Sequence, residues 1–208
     1  MASGSETERN KRNEILDAAV DVLLSEGFEA ASMELVAKRA SVSRRTVFNQ
    51  FATKDALFSA ALERFWSRMP MVRIAGEQES LDDPAIGLTR IGQTIAEFWG
   101  PPASIALARM IVREGSRFPS LARDYLALGK VPALGIVVEY LGSMASAGRL
   151  TLADPDLAAR QFIGMINEPV VWFRVLGLED APSAEREAQV VGEAVKTFLA
   201  RYGARPGA

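Results

Sequence analysis

An all-α fold follows from three features of the 208-residue sequence. Apolar residues recur at helical spacing along almost its whole length, and no β-branched run with strict alternation lasts more than a few residues. The punctuation between apolar stretches is also of the kind that stops and starts helices, as at Glu26-Gly27, Asp83-Pro84 and Asp154-Pro155. Proline divides the chain: none precedes Pro70, and ten lie from Pro70 to Pro206.

The first helix is expected over 8–26, with Ile15, Ala19, Val22 and Leu23 on one face and Gly27 as the C′ residue. Ser32 is the N-cap candidate of a short second helix carrying Val36, Ala37 and Ala40, and Ser43 that of a third carrying Val47 and Phe51. Only Ser41, Val42 and Ser43 separate the two. Thr53 caps a fourth helix whose stripe Leu57, Phe58, Ala61, Leu62, Phe65 and Met69 runs to Pro70. Residues 71–83 read as loop or frayed chain. Asp83 with Pro84 at N1 then opens a fifth helix carrying Leu88, Ile91, Ile95, Phe98 and Trp99.

A sixth helix over 103–116 stops before Phe118-Pro119, and a helical region continues to 148 with a break or kink at Pro132. Asp154-Pro155 opens a helix to 176 that is apolar nearly all round. The last helix, 183–202, sets Ala184, Ala188, Val191, Val195, Phe198 and Tyr202 at spacings of 4, 3, 4, 3, 4, a heptad seam that needs a helical partner. These make about nine helices, and the tail 203–208 is expected to be disordered.

Composition narrows the function. Cysteine and histidine are both absent, which removes disulfides, thiolate nucleophiles, imidazole proton shuttles and the usual zinc ligands. No cofactor or metal is expected. An enzyme would have to rely on carboxylates such as Glu114, Asp154, Asp156 or Glu168, and the caps and helix termini around them explain those acids better. No apolar leader or charge-free span is present, so the chain reads as cytoplasmic with no membrane partner. Net charge is -2, yet from Leu35 to Lys54 five basic residues (Lys38, Arg39, Arg44, Arg45, Lys54) occur without one acid. This is a local positive patch.

Two short helices joined by a tight turn form a helix-turn-helix when the first packs across the second and leaves its outer face free. Val36, Ala37, Ala40, Val42, Val47 and Phe51 suit the inner side. Arg44, Arg45, Thr46, Phe48, Asn49 and Gln50 then face outward or sideways. Arg can bind guanine O6 and N7 with two hydrogen bonds, Asn or Gln adenine N6 and N7, and a Thr methyl can touch a thymine methyl, each good pair discriminating by roughly 1–3 kcal/mol. Lys54 sits in the first turn of the fourth helix, where free N–H groups attract a phosphate, and Ser32, Ser43 and Thr53 can assist when not engaged as caps. A solvated basic face, or a helical adaptor for an acidic protein, would carry the same charges.

The ordered text from Ile15 to Leu62, ILDAAVDVLLSEGFEAASMELVAKRASVSRRTVFNQFATKDALFSAAL, closely resembles the N-terminal domain of the tetracycline-repressor (TetR) family. The resemblance implies a homodimeric, helical transcriptional regulator that represses until a small molecule binds its C-terminal domain. It makes residues 1–62 the DNA-binding domain, with Ser43 to Gln50 as recognition helix and Lys54 as a phosphate contact. It makes 63–208 the effector-binding and dimerisation domain. Three positions depart from the family pattern. Ser41 stands where the turn commonly has Gly, which puts a left-handed conformation there at about 1 kcal/mol. Phe48 replaces a frequent Tyr whose hydroxyl binds phosphate, and Gln50 a frequent His or Tyr. Either phosphate contacts are fewer, or residues such as Thr46 and Asn49 take them over.

In the second half, MIVREGSRFPSLARDYL and GRLTLADPDLAARQFIG are similar to effector domains of AefR-like and AcrR-like repressors. Candidate effector contacts are Trp99, Met110, Tyr125, Tyr140, Met144 and Trp172, joined by the polar Arg113, Glu114 and Asn167; an Arg113–Glu114 pair is also the pattern of a structural salt bridge. Candidate dimer contacts are Phe162, Ile166, Val170 and Phe173 on the all-apolar helix and Ala188, Val191, Val195 and Phe198 on the heptad helix. The expected partners are a double-stranded DNA operator, a second copy of the chain and a small-molecule effector.

Overall fold

The computed structural model describes residues 2–204. In chain order the helices are α1 (Ala2–Ala30), α2 (Met33–Arg39), α3 (Arg44–Gln50), α4 (Lys54–Trp66), α5 (Met71–Ala75), α6 (Gln78–Asp82), α7 (Pro84–Trp99), α8 (Pro102–Glu114), α9 (Pro119–Tyr125), α10 (Val131–Ser146), α11 (Pro155–Asn167), α12 (Phe173–Val175) and α13 (Ala184–Tyr202). Wider π turns, Leu126–Lys130 and Glu168–Trp172, join α9 to α10 and α11 to α12 into continuous rods. Among the described residues there is no strand, only an isolated antiparallel bridge between Leu150 and Gly203. The fold is all-α.

Local chemistry set most boundaries. Ser32, Ser43, Thr53, Asp83, Asp154 and Ser183 each cap a helix by accepting a hydrogen bond from a backbone N–H in its first turn. Pro132 does not break its rod. The ladder instead widens into the π turn just before it, and Pro169 lies inside the second such turn, so the bond each proline cannot donate is absorbed by the looser winding.

Two expectations are corrected. Residues 71–83 are not loop: α5 and α6 account for both helices beyond the expected nine. Their support is tertiary, since Met71 and Ser80 are buried, Arg90 Nη1 donates to Glu77 at 2.8 Å, and the Tyr140 hydroxyl donates to the Ser80 carbonyl at 2.8 Å. The tail is ordered through Ala204, because Thr151 N donates to the Tyr202 carbonyl (2.8 Å) and Ala204 N to that of Arg149 (3.1 Å). Residues 205–208 lie outside the described ones.

The chain forms two compact units, one from residues up to Arg68 with Ala106–Gly129, the other from Met69–Ile105 with the chain from Lys130 on. In the first, Ile15, Leu23, Val36, Val47, Leu57, Phe58 and Leu62 are at most 1% exposed, each such side chain contributing about 1.5–3 kcal/mol relative to solvent. Asp17 on α1 accepts from Arg64 Nε (2.8 Å) and Nη2 (2.7 Å) and from Arg68 (3.0 Å), tying α1 to α4. Trp66 stacks on Tyr125 with centroids 5.3 Å apart and lies so near Gly129 that a Cβ there would stand 2.0 Å from the indole.

In the second unit α13 packs on α7 and α11, with Phe162 edge-on to Phe198 at 5.4 Å. The buried Arg174 donates to the Trp99 (2.6 Å) and Gly100 (2.9 Å) carbonyls, closing the C-terminal end of α7 with a cation. The rod Pro119–Ser146 is long and apolar enough to cross a bilayer by length and composition alone, but Leu121, Tyr125, Val137, Tyr140, Leu141 and Met144 along it are buried and its Asp124 accepts from Ser59.

Two outcomes follow. Gly27 holds φ 78° and ψ 168°, a region essentially closed to other residues, so Gly27→Ala will lower unfolding stability by about 1–3 kcal/mol in urea titration. The hydrogen bond from Arg64 holds the Asp17 carboxyl below its ordinary 3.8. Its contribution is therefore present above the ordinary carboxylate value and lost as pH falls through the depressed folded one. Asp17→Asn will weaken the protein at neutral pH and flatten its loss of thermal stability toward acid.

Candidate nucleic-acid interface

The turn between α2 and α3 is closed by backbone. Val42 N donates to the Ala37 carbonyl (3.0 Å) and Ser41 N to that of Lys38 (3.2 Å), which requires a left-handed residue between them. Ser41 supplies it at φ 53°, as its position in the sequence implies. Val36, Ala37, Val47 and Phe51 are buried between the two helices. Ala40 and Val42 are half-buried at the rim.

That packing fixes which side of α3 meets solvent. Ser43, Arg44, Arg45, Phe48 and Asn49 are exposed, while Thr46 and Gln50 are half-buried. Their neighbours then differentiate them. Arg44 is drawn across to Glu34 on α2 as an ion pair. The Thr46 hydroxyl is bonded to that of Ser43 at 2.8 Å, and Ser43 Oγ also accepts from Thr46 N (3.1 Å). The side-chain oxygen of Gln50 is enclosed and has no hydrogen-bond partner among the described residues. Arg45, Phe48 and Asn49 remain as the outward triad, at i, i+3 and i+4 on one face.

Lys54, the expected phosphate contact, also bonds within the protein. Its ammonium donates to the Phe28 carbonyl and to that of Glu29 (3.1 Å), 4.7 Å from the Phe28 ring centroid, and burial pushes its pKa down. It staples the end of α1 to the start of α4, so two of its three donors are spent inside the protein. Ser32 likewise serves as a cap, accepting from Leu35 N at 3.2 Å. Sequence reasoning missed Arg12, whose guanidinium lies 4.4 Å over the ring of Phe51, the C-cap of α3; nothing in the spacing of α1 signals that contact. Lys38 and Arg39 stand exposed at the end of α2.

The effector candidates divide between the two units. Met110, Arg113, Glu114 and Tyr125 belong to the first unit, and Trp99, Tyr140, Met144, Asn167 and Trp172 to the second. Glu114 pairs with Arg113 (2.6 Å) and accepts from Phe28 N (2.8 Å), a tie between α8 and the end of α1. Met110 and Tyr125 are core residues, burial pushing the Tyr125 phenol to about 12. Within the second unit a cleft of about 310 Å³ is lined by Ala75, Gly76, Ile136, Glu139, Tyr140 and Ser143, and of the candidates only Tyr140 lines it. Trp99 and Met144 are buried and Trp172 is 52% exposed. Asn167 is half-buried, its side-chain oxygen enclosed without a partner.

The dimer candidates differ in exposure. Phe162, Ile166, Val170, Val191, Val195 and Phe198 are buried within the chain, because the heptad seam of α13 closes on α7 and α11. Only Phe173 and Ala188 remain exposed. The apolar groups left in solvent nearby are Leu157, Trp172, Phe173, Leu176 and Leu178.

A short helix packed across a second whose outer face turns Arg45, Phe48 and Asn49 to solvent is the helix-turn-helix arrangement of DNA-binding proteins. The family descriptions "Bacterial regulatory proteins, tetR family" and "AefR-like transcriptional repressor, C-terminal domain" match residues 15–61 and 86–204. The chain belongs to the TetR family of bacterial transcriptional regulators, which sets the enzyme reading aside. It is 41% identical over 66 residues to the HTH-type transcriptional repressor KstR of Mycobacterium tuberculosis, a match covering 32% of this chain and 30% of that protein. That stretch spans under a third of KstR's length. The HTH-type regulator YvkB of Bacillus subtilis is 26% identical over 160 residues, 76% of this chain and 78% of YvkB.

Among solved structures, a TetR-family regulator from Mesorhizobium loti superposes with a TM-score of 0.82 at 23% identity, covering 94% of this chain and 98% of that one. The flavonoid-responsive regulator FrrA gives 0.72 at 27% identity, over 95% and 99%.

The two basic residues separate by experiment. Lys54→Ala will lower unfolding stability by about 1–3 kcal/mol, the range for losing charge-assisted bonds to carbonyls, whereas Arg45→Ala will stay within about 0.5 kcal/mol of the parent. Thermal melts of the two variants side by side decide this.

Proposed function

We propose that the protein is a ligand-responsive repressor that binds a two-fold symmetric operator as a homodimer and is released by a small hydrophobic or amphipathic molecule. The observation that carries this is the solvent face of α3, where Arg45, Phe48 and Asn49 stand exposed above a buried Val47 and Phe51. In this reading residues 1–62 bind DNA in the cytoplasm, and residues 63–208 hold the effector and the dimer contact. The exposed Trp172 and Phe173 favour a second copy as partner, since two recognition helices must lie about 34 Å apart to reach successive major grooves.

For the effector, the cleft bounded by Ile136 and Tyr140 with the carboxylate of Glu139 suits an amphipathic molecule. FrrA is described as flavonoid-responsive, and FadR of Bacillus subtilis, of the same fold, was solved with stearoyl-CoA; both ligands carry large apolar parts. Release works only if the effector binds one separation of the recognition helices better than the other. A 200-fold loss of operator affinity corresponds to about 3 kcal/mol of such coupling.

Selection from a random duplex library will return a palindromic site, and Arg45→Ala will relax preference at particular base pairs by about 1–3 kcal/mol. Phe173→Asp will shift the protein from dimer to monomer in sedimentation. Recovery of unrelated sequences bound with equal affinity would falsify the regulator reading.

A further inference from the structure

Phe48 is the conspicuous feature of the recognition face. It is 48% exposed in the middle of α3, on the polar side of an amphipathic helix whose inner side is filled by Val47 and Phe51. Core packing does not require it. Nor does a partner among the described residues, where no ring stacks on it and no cation lies over it, and nearly half of its surface meets solvent.

Its surroundings say what it can meet. Arg45 precedes it by three residues and Asn49 follows it by one, both exposed, so any surface that contacts Phe48 also faces a guanidinium and a carboxamide. Arg44 is held by Glu34 and the Thr46 hydroxyl by Ser43, which leaves the ring as the main unsatisfied group between two hydrogen-bonding arms. A phosphate cannot be its partner, because the phenyl group has no donor to offer one. In the major groove, base edges are arrays of donors and acceptors interrupted by one apolar group, the C5-methyl of thymine.

We propose that Phe48 is a specificity-determining residue that reads a thymine methyl in each half-site, beside the base pair read by Arg45 or Asn49. The proposal rests on the DNA-binding reading and adds a base identity to it. Removing the methyl alone, as in deoxyuridine, leaves every hydrogen bond of the base pair in place. A methyl-sized apolar group is worth about 0.8 kcal/mol when buried, so the expected loss is about 4-fold per half-site.

The test uses full-length protein and duplexes enriched from a random library, with each thymine replaced in turn by deoxyuridine and affinity measured by fluorescence anisotropy at fixed salt. One position per half-site is expected to lose about 4-fold. Phe48→Ala, with an unchanged melting midpoint, is expected to bind more weakly and to be indifferent to that replacement, while Phe48→Leu retains most of the sensitivity. A specific site insensitive to every replacement overturns the assignment and leaves the regulator reading standing. An equal loss with Phe48→Ala overturns it too, since the methyl would then be read elsewhere, as by Thr46. If no sequence is enriched at all, the regulator reading fails and the assignment with it.

Discussion

The peptide at Phe28 is the point on which the first unit depends. Gly27 kinks α1 near its C-terminal end through a conformation closed to other residues, and Phe28 is then held at both ends. Its N–H donates to Glu114 on α8, and its carbonyl accepts from Lys54 at the start of α4. The ring packs between Phe58 (5.9 Å) and Phe118 (5.1 Å), while the adjacent Glu29 is gripped by both Arg117 terminal nitrogens at 2.5 Å. One residue thus joins three helices through backbone, charge and aromatic contact. Because α2 begins only a few residues later, the orientation of the helix-turn-helix is set from here.

What the sequence discloses and what it conceals divide along the range of the responsible force. Ser32, Ser43, Thr53, Asp83 and Asp154 were legible as caps because a cap is a bond across three or four residues, and Gly27 and Ser41 because a left-handed conformation is a property of a single residue. The inner and outer faces of α3 were legible for the same reason. By contrast α5 and α6 are too short for a helical period to show, and they stand on residues outside themselves, Arg90 on α7, Tyr140 on α10 and Arg149, which donates to the Asp82 carbonyl.

Lys54 shows why charge alone does not assign a role. A phosphate and a pair of peptide carbonyls make the same demand on an ammonium group, and only the tertiary position of residues 28–29 decides between them. The heptad seam carries a similar ambiguity: spacing reports that α13 needs a helical partner, but not whether that partner comes from its own chain. Here α7 and α11 cover the buried part of the seam, and Phe173 and Ala188 stay exposed. For an effector the sequence offers a list of aromatic and polar side chains, which does not say which of them border empty space.

The staple formed by Lys54 also bears on how an operator complex responds to its ionic surroundings. Each phosphate neutralised by a protein cation frees condensed counterions, and in duplex DNA each such contact steepens the fall of log affinity with log salt by about 0.9. An ammonium with two of its three donors on peptide oxygens adds less to that slope in the proposed complex. In the proposed operator complex, recognition then leans more on base edges and shape, whose contributions persist as ionic strength rises.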